Sequence, residues 1–324
     1  MSSNNKKQQK LFESWRRYLN EKADPSKVPD EYFPMKLSDV GAMYTPGEAT
    51  AITKGGQYDD NKSDDVISAQ PGSVAVSQLK PSQSSMNIEK AVAFAIAAIL
   101  KNKPFANGPG GDLGAIITND NHIMDGHHRW IASGMVDPTV DVGGFVVDFP
   151  AKKLIAVLNV LTLHFTKSSK GKPGGGSFKD FTAKGVFAVL TKYAKEGVWS
   201  ANKDPAMVIK ACETFTGKKG QQAIKAAAIK MAKNLKSLTL SVPGDFPERE
   251  DMPIISKGKG HLKLAIKLLN SGAVDVNQSF AGDSGAPGGV IKQKAKGVKN
   301  RKDAERYRKQ LSLENKKRKT KRKK

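Results

Sequence analysis

Apolar and polar positions follow two rhythms along this chain, one helical and one alternating, and the switches between them mark its elements. Leu11, Phe12, Trp15, Tyr18 and Leu19 recur at helical spacing and predict an amphipathic helix over 7–23. Asp24-Pro25 ends it, because a residue before proline is driven out of the helical region. The apolar stripe of that helix needs a surface to cover it, either its own protein or a partner protein. Residues 24–72 are rich in Pro, Gly, Asp and Ser and predict an extended arm with little regular structure.

Alternation over 73–79 predicts a short strand, and the strongly apolar stretch 87–101 a helix. Residues 114–118 and 122–124 predict two strands around the turn Asn119-Asp120-Asn121. A helix over 126–133, a strand over 140–149 and a helix over 151–163 follow. Helices are then predicted at 181–197, 204–216, 221–238 and 261–269. Residues 277–300 hold too little apolar surface for a core, and 301–324 carry a charged helix at most. The expected class is α/β (α+β). The expected divisions are an N-terminal helix and arm (1–64), a small α/β domain (65–165), a helical basic domain (180–272) and a disordered basic tail (277–324).

Charge sharpens this division. The 324 residues carry 54 Lys and Arg against 31 Asp and Glu, a net charge of +23. Residues 1–60 are neutral and 61–150 are slightly acidic, so the whole excess lies after residue 150 and over half of it in the last 34 residues. A polyanion would therefore be held by the C-terminal half, and 61–150 must act through a few positioned groups. The single cysteine, Cys212, excludes an intramolecular disulfide and argues against a cysteine-based zinc cluster. The longest apolar run, 91–100, is far short of the ~20 residues that span a bilayer. With no apolar signal core near the N-terminus, the expectation is a cytoplasmic protein with no membrane partner.

The segment richest in chemistry is 112–132, DLGAIITNDNHIMDGHHRWIA. A hairpin ends in Asp125-Gly126 and a helix starts at once with His127-His128-Arg129. Glycine permits close backbone approach, and the first free N–H groups of a helix form an anion site. Arg129 can add a bidentate phosphate contact, and a histidine can contact phosphate or move a proton. Asp125 can orient a hydroxyl, or simply cap the helix. Two adjacent histidines on a helix cannot face the same way, so one of His127 and His128 is free to cap or pack. Ser82 and Gln83, after the first strand, either line the same pocket or form a turn. His122 reads as structural and Trp130 as core. The loop 167–178, KSSKGKPGGGSF, invites a P-loop reading but lacks its G-K-[ST] ending, so it reads as a linker or mobile lid.

On these residues the chain resembles the ParB/sulfiredoxin superfamily. The resemblance covers roughly 73–150: the strand SVAVSQLKPSQ, the helix NIEKAVAFAIAAI, the hairpin turning at NDN, and DGHHRW followed by Ile131-Ala132. It implies a small α/β domain that binds a nucleotide through the helix terminus Gly126, His127, His128 and Arg129; the expected ligand is a nucleoside triphosphate, ATP or CTP with Mg²⁺, and Gln83 and Ser82 are further candidates by their position after the first strand. It implies phosphoester hydrolysis or phosphoryl transfer if Asp125, His127 or His128 is catalytic. The family includes CTP-dependent partition proteins, sulfiredoxin, a free serine kinase and ParB-like nucleases. His127 stands where sulfiredoxin has its catalytic cysteine, which excludes that activity. Partition proteins usually read Gly-Glu-Arg-Arg, whereas this chain reads Gly126-His127-His128-Arg129, closer to the serine kinases. Those kinases place a catalytic Glu soon after the proline that ends the first strand; here Pro81 is followed by Ser82, Gln83, Ser84 and Ser85.

In the basic half, 221–238 sets Lys225, Lys230, Lys233 and Lys236 beside an Ala/Ile face, with no acid between 215 and 244. With 204–216 and a turn at Gly217 it matches, by position only, a helix-turn-helix. The tail, including Lys316, Lys317, Arg318, Lys319 and Arg322, has almost no aromatics and suits sequence-indifferent DNA or RNA binding, a solubility role, or a nuclear localisation signal. Two functions follow as expectations. One is a ParB-like nucleotide-binding protein associated with DNA. The other is a non-enzymatic nucleic-acid-packaging or virion-associated protein with a relic pocket, and the short LFESWRRYL segment looks like leader segments of some phage proteins.

Overall fold

The computed structural model describes residues 33–56, 67–101, 114–172, 174–198, 204–242, 245–255 and 260–272. The 7–23 helix and the tail from 277, with Lys316, Lys317, Arg318, Lys319 and Arg322, lie outside them. The chain divides into two units. One joins 69–151 to 171–252; the other joins the segment before 69 to 152–170 and the stretch from 253. This division differs from the one drawn from sequence, which separated the α/β segment from the basic helices.

The α/β unit holds a mixed five-stranded sheet in the order β1-β5-β3-β4-β2. β1 (Ala69–Ala75) runs antiparallel to β5 (Asp141–Val147), and β3 (Ala115–Thr118) runs parallel to β5. β4 (His122–Asp125) returns antiparallel to β3, and the two-residue β2 (Lys80–Pro81) lies parallel to β4 at the edge. The β3–β4 turn has Asn121 at φ 63°, a left-handed position asparagine tolerates.

The helix α3 (Ile88–Lys101) explains why the basic helices join this unit. Its Ala91, Val92, Ala93, Ala95, Ile96, Ala98 and Ile99 are all buried, a surface wrapping too far round for one partner. α4 (His127–Val136) packs on it, and so do α6 (Ala183–Glu196) and α7 (Pro205–Thr216). α8 (Gly220–Asn234) in turn packs on α4, α6 and α7. One continuous core results, from Val76 and Leu79 through Trp130 to Met231 and Leu235. Trp130 is fully buried, and its indole N–H donates to the Val76 carbonyl at 2.8 Å.

The second unit is helical, and it corrects the expectation of an extended arm with little regular structure. α1 (Leu37–Met43) and α2 (Pro46–Gly56) fall inside 24–72. Pro46 does not break α2 but starts it, where a missing N–H costs nothing. Thr45 and Glu48 form a reciprocal cap: the Glu48 carboxylate accepts from the Thr45 N–H (2.8 Å), and Thr45 Oγ1 accepts from the Glu48 N–H (3.2 Å). Most of α5 (Ala151–Thr166) lies in this unit. There Asn159 donates to the Met35 carbonyl (2.9 Å) and Thr162 Oγ1 accepts from the Ile254 N–H (2.8 Å). Phe165 stacks on His261 at the start of α9 (His261–Leu269). Among the described residues no helix is long and apolar enough to cross a membrane.

Candidate functional site

The hairpin delivers the motif to one end of the sheet. β4 ends at Asp125, and Gly126 turns the chain at φ 101°, a left-handed conformation that L side chains rarely adopt. Gly126 is the N-cap of α4, and no side chain caps it. Asp125 is therefore not the cap. Its Oδ2 accepts from the Arg129 guanidinium at 2.9 Å, one helical turn on. Burial raises the Asp125 pKa, and Arg129 and Arg249 oppose that rise. Arg129, expected on phosphate, is thus engaged by its neighbour.

The two histidines divide as helix geometry requires. His127 turns inward, 4% exposed, and its Nε2 accepts the Ser82 N–H at 3.2 Å. Ser82 Oγ donates to the Ile123 carbonyl at 2.7 Å. Ser82 and His127 together pin the chain after β2 to β4. Burial, then Arg249 and His128, hold the His127 pKa well below the usual histidine value, so it is neutral. His128 faces the other way, into a cavity of about 320 Å³, and its Nε2 is buried without a hydrogen-bond partner.

That cavity draws on separated segments. Asn87, Glu89 and Lys90 come from the start of α3, Gln83 and Ser85 from the loop before it, Lys172 from the glycine-rich loop, Tyr193 from α6, and Arg249 from a 3₁₀ turn at Arg249–Asp251. Of the residues named from sequence, His128 and Gln83 line it; Ser82 and His127 are buried beside β4 and do not. The loop expected to be a linker or lid is part of the wall.

Its electrostatics follow from three cations. Lys90 is held below the usual lysine value by loss of water around its ammonium, then by Arg249 and Lys172. Burial lowers the Arg249 pKa. His128 falls to about 3, first through burial and then through Lys90, Arg249 and Arg129. Like charges gathered on one cavity raise one another's potential and leave a positive excess there. The adjacent acids are engaged elsewhere, Glu89 with Lys192 (2.9 Å) and Asp125 with Arg129.

Lys90, Lys172 and Arg249 escaped sequence reasoning. A lysine in the first turn of a helix, where acids are favoured, is a weak signal for Lys90. Lys172 sat in a loop already noted for its P-loop likeness. Nothing local marks Arg249.

Among the described residues no group of three or more His, Cys, Asp or Glu could hold a metal ion. Cys212 is buried and its thiol is pushed up to about 11, which leaves it unreactive near neutral pH.

On α8 the inner face buries Ala223, Ile224, Ala227, Ala228 and Met231, while Lys225 and Lys233 stay exposed beside Ile229, and Lys236 is exposed in the 3₁₀ turn Leu235–Ser237 that follows. Lys230 is committed to α7: its Nζ donates to the Phe215 carbonyl (2.9 Å) and sits 4.1 Å from that ring's centre. α7 and α8 are joined through Gly217, at φ 70°, in a three-residue turn.

No protein-family model matches the chain, and comparison with curated proteins and with solved structures gives no match.

Proposed function

We propose that the α/β unit binds the phosphates of a nucleotide in this cavity, and that the protein works in association with DNA. One observation carries the reading: Lys90, Lys172 and Arg249, from three separated segments, converge with the unpartnered Nε2 of His128 on one cavity. An anion there pairs with cations that otherwise repel one another. The likeness of DGHHR and its hairpin to ParB-like domains supports the nucleotide as the anion's source. If the site is catalytic, phosphoester hydrolysis or phosphoryl transfer is the class, with His128 as the group placed to move a proton once an anion is bound, since His127 Nε2 and Asp125 are occupied.

The test is a titration with labelled CTP, ATP and GTP, repeated with Lys90→Ala and Arg249→Ala. Saturable binding of one nucleotide, weakened about tenfold or more in each variant, is expected. Absence of binding by the unmodified chain, with DNA binding intact, overturns it. That result leaves the second reading, a non-enzymatic nucleic-acid-packaging protein, favoured by the exposed lysines of α8.

A further inference from the structure

Building on the phosphate reading, we infer that the cavity takes an oligophosphate chain, neutralised by Lys90, Lys172 and Arg249 themselves and not by a divalent cation. The argument is one of charge and rigidity. Glu89 and Asp125 are each engaged by a cation of their own, at 2.9 Å. Among the described residues, Lys90, Lys172 and Arg249 have no ion-pair partner. The surplus is three positive charges. A phosphomonoester brings only about two negative charges, and each further phosphoryl group adds one. A diphosphate, at about three charges, matches the surplus; a single phosphate leaves one cation unmet, and a triphosphate meets all three with about one charge left to water at the open rim.

The cations are mounted on backbone that is already tied down. The Arg249 N–H donates to Ser85 Oγ (3.3 Å), the Ser84 N–H to the Pro247 carbonyl (3.2 Å), and the Gly171 N–H to the Glu250 carbonyl (3.0 Å). Gly176, at φ 83°, lays the loop against the start of α3, where a Cβ would stand 2.4 Å from the Met86 carbonyl oxygen. The loop that carries Lys172 is therefore held at both ends, and little ordering is left for the ligand to impose. Lys90 and Lys172 are exposed at the rim, so the chain of phosphates has a way in; Arg249 and His128 are half-buried.

Mg²⁺ does not fit this arrangement. The one nearby carboxylate of the motif, Asp125, is held by Arg129, and Mg²⁺ chelated by the ligand would cancel two of the charges the lysines and arginine are placed to meet. The expected effect of Mg²⁺ is weaker binding.

The experiment is calorimetry on the full chain with orthophosphate, pyrophosphate, tripolyphosphate and CTP or ATP, at fixed ionic strength, in EDTA and then in excess Mg²⁺. The basic tail is present in every arm, so the readout is the component lost in Lys172→Ala, a rim residue, and in Arg249→Ala. Expected is affinity rising about tenfold from orthophosphate to pyrophosphate, rising less or holding in tripolyphosphate, falling in Mg²⁺, and flattening in both variants. Orthophosphate bound as tightly as tripolyphosphate, or Mg²⁺ strengthening binding, overturns the inference. Nucleotides bound without regard to phosphate number sink it but spare the nucleotide reading. Tripolyphosphate bound where every nucleotide fails does the reverse.

Discussion

Lowering the pH destabilises this fold through His128, and the size of the effect follows from its surroundings. In the unfolded chain the imidazole titrates near 6.5; in the folded chain burial, Lys90, Arg249 and Arg129 bring it to about 3. Between those values the unfolded chain binds a proton that the folded chain refuses, so stability is complete above pH 6.5 and is lost as pH falls towards 3. At pH 5 the deficit is about 1.5 pK units, or about 2 kcal/mol at ~1.4 kcal/mol per unit. His127, also held below the usual value, acts in the same direction, while Asp125, whose value is raised, acts in the opposite one. The variant His128→Gln isolates the one contribution, because glutamine keeps a polar group in the cavity and does not titrate. Urea unfolding from pH 7.5 to 5, in buffers free of phosphate, should show the unmodified chain losing about 2 kcal/mol more than the variant. Saturating tripolyphosphate should shrink that difference, since an anion beside Nε2 removes the reason for the imidazole to stay neutral. Parallel pH profiles for the two proteins would refute the reasoning.

Other outcomes are expected. Gly126→Ala forces a Cβ into a left-handed backbone at φ 101° and should cost ~1–2 kcal/mol, read as a lowered midpoint of thermal unfolding. Trp130→Phe deletes the N–H that satisfies the buried Val76 carbonyl and should cost ~1–3 kcal/mol by the same measurement. Replacing Lys225, Lys233 and Lys236 together by alanine should lower DNA affinity and reduce the slope of log K against log salt by up to about 0.9 for each lost phosphate contact. Lys230→Ala, which frees the Phe215 carbonyl and leaves the outer face of α8 unchanged, should alter stability more than that slope, as parallel melting and salt titrations would show.

The elements of the α/β unit were largely legible. The alternation after 114, the turn at Asn119-Asp120-Asn121 and the abrupt start of a helix after Asp125-Gly126 reappear as β3, β4 and α4. α9 covers 261–269 as its periodicity predicts. α1 and α2 were not legible, because Pro46 and the glycines around it read as breakers when Pro46 is a helix start. Nor was the partition of the chain, although the almost wholly apolar α3 carried the clue: a helix buried on so many sides needs more partners than one sheet face supplies.

The sequence by itself determined what is decided over a few residues. Periodicity sets which stretches coil and which extend, a glycine sets where the hairpin can turn into α4, and adjacency alone forces His127 and His128 to opposite sides. Tertiary structure decided which groups meet. Arg129, the obvious phosphate ligand, is engaged by Asp125 one turn away, and His127 by the Ser82 N–H. The cavity instead gathers Lys90, Lys172 and Arg249. The reason is physical. Hydrogen bonds and steric limits within a turn act between neighbours in sequence, but burial and electrostatic potential sum over whatever the folded chain brings within a few ångströms, however far apart it lies along the backbone.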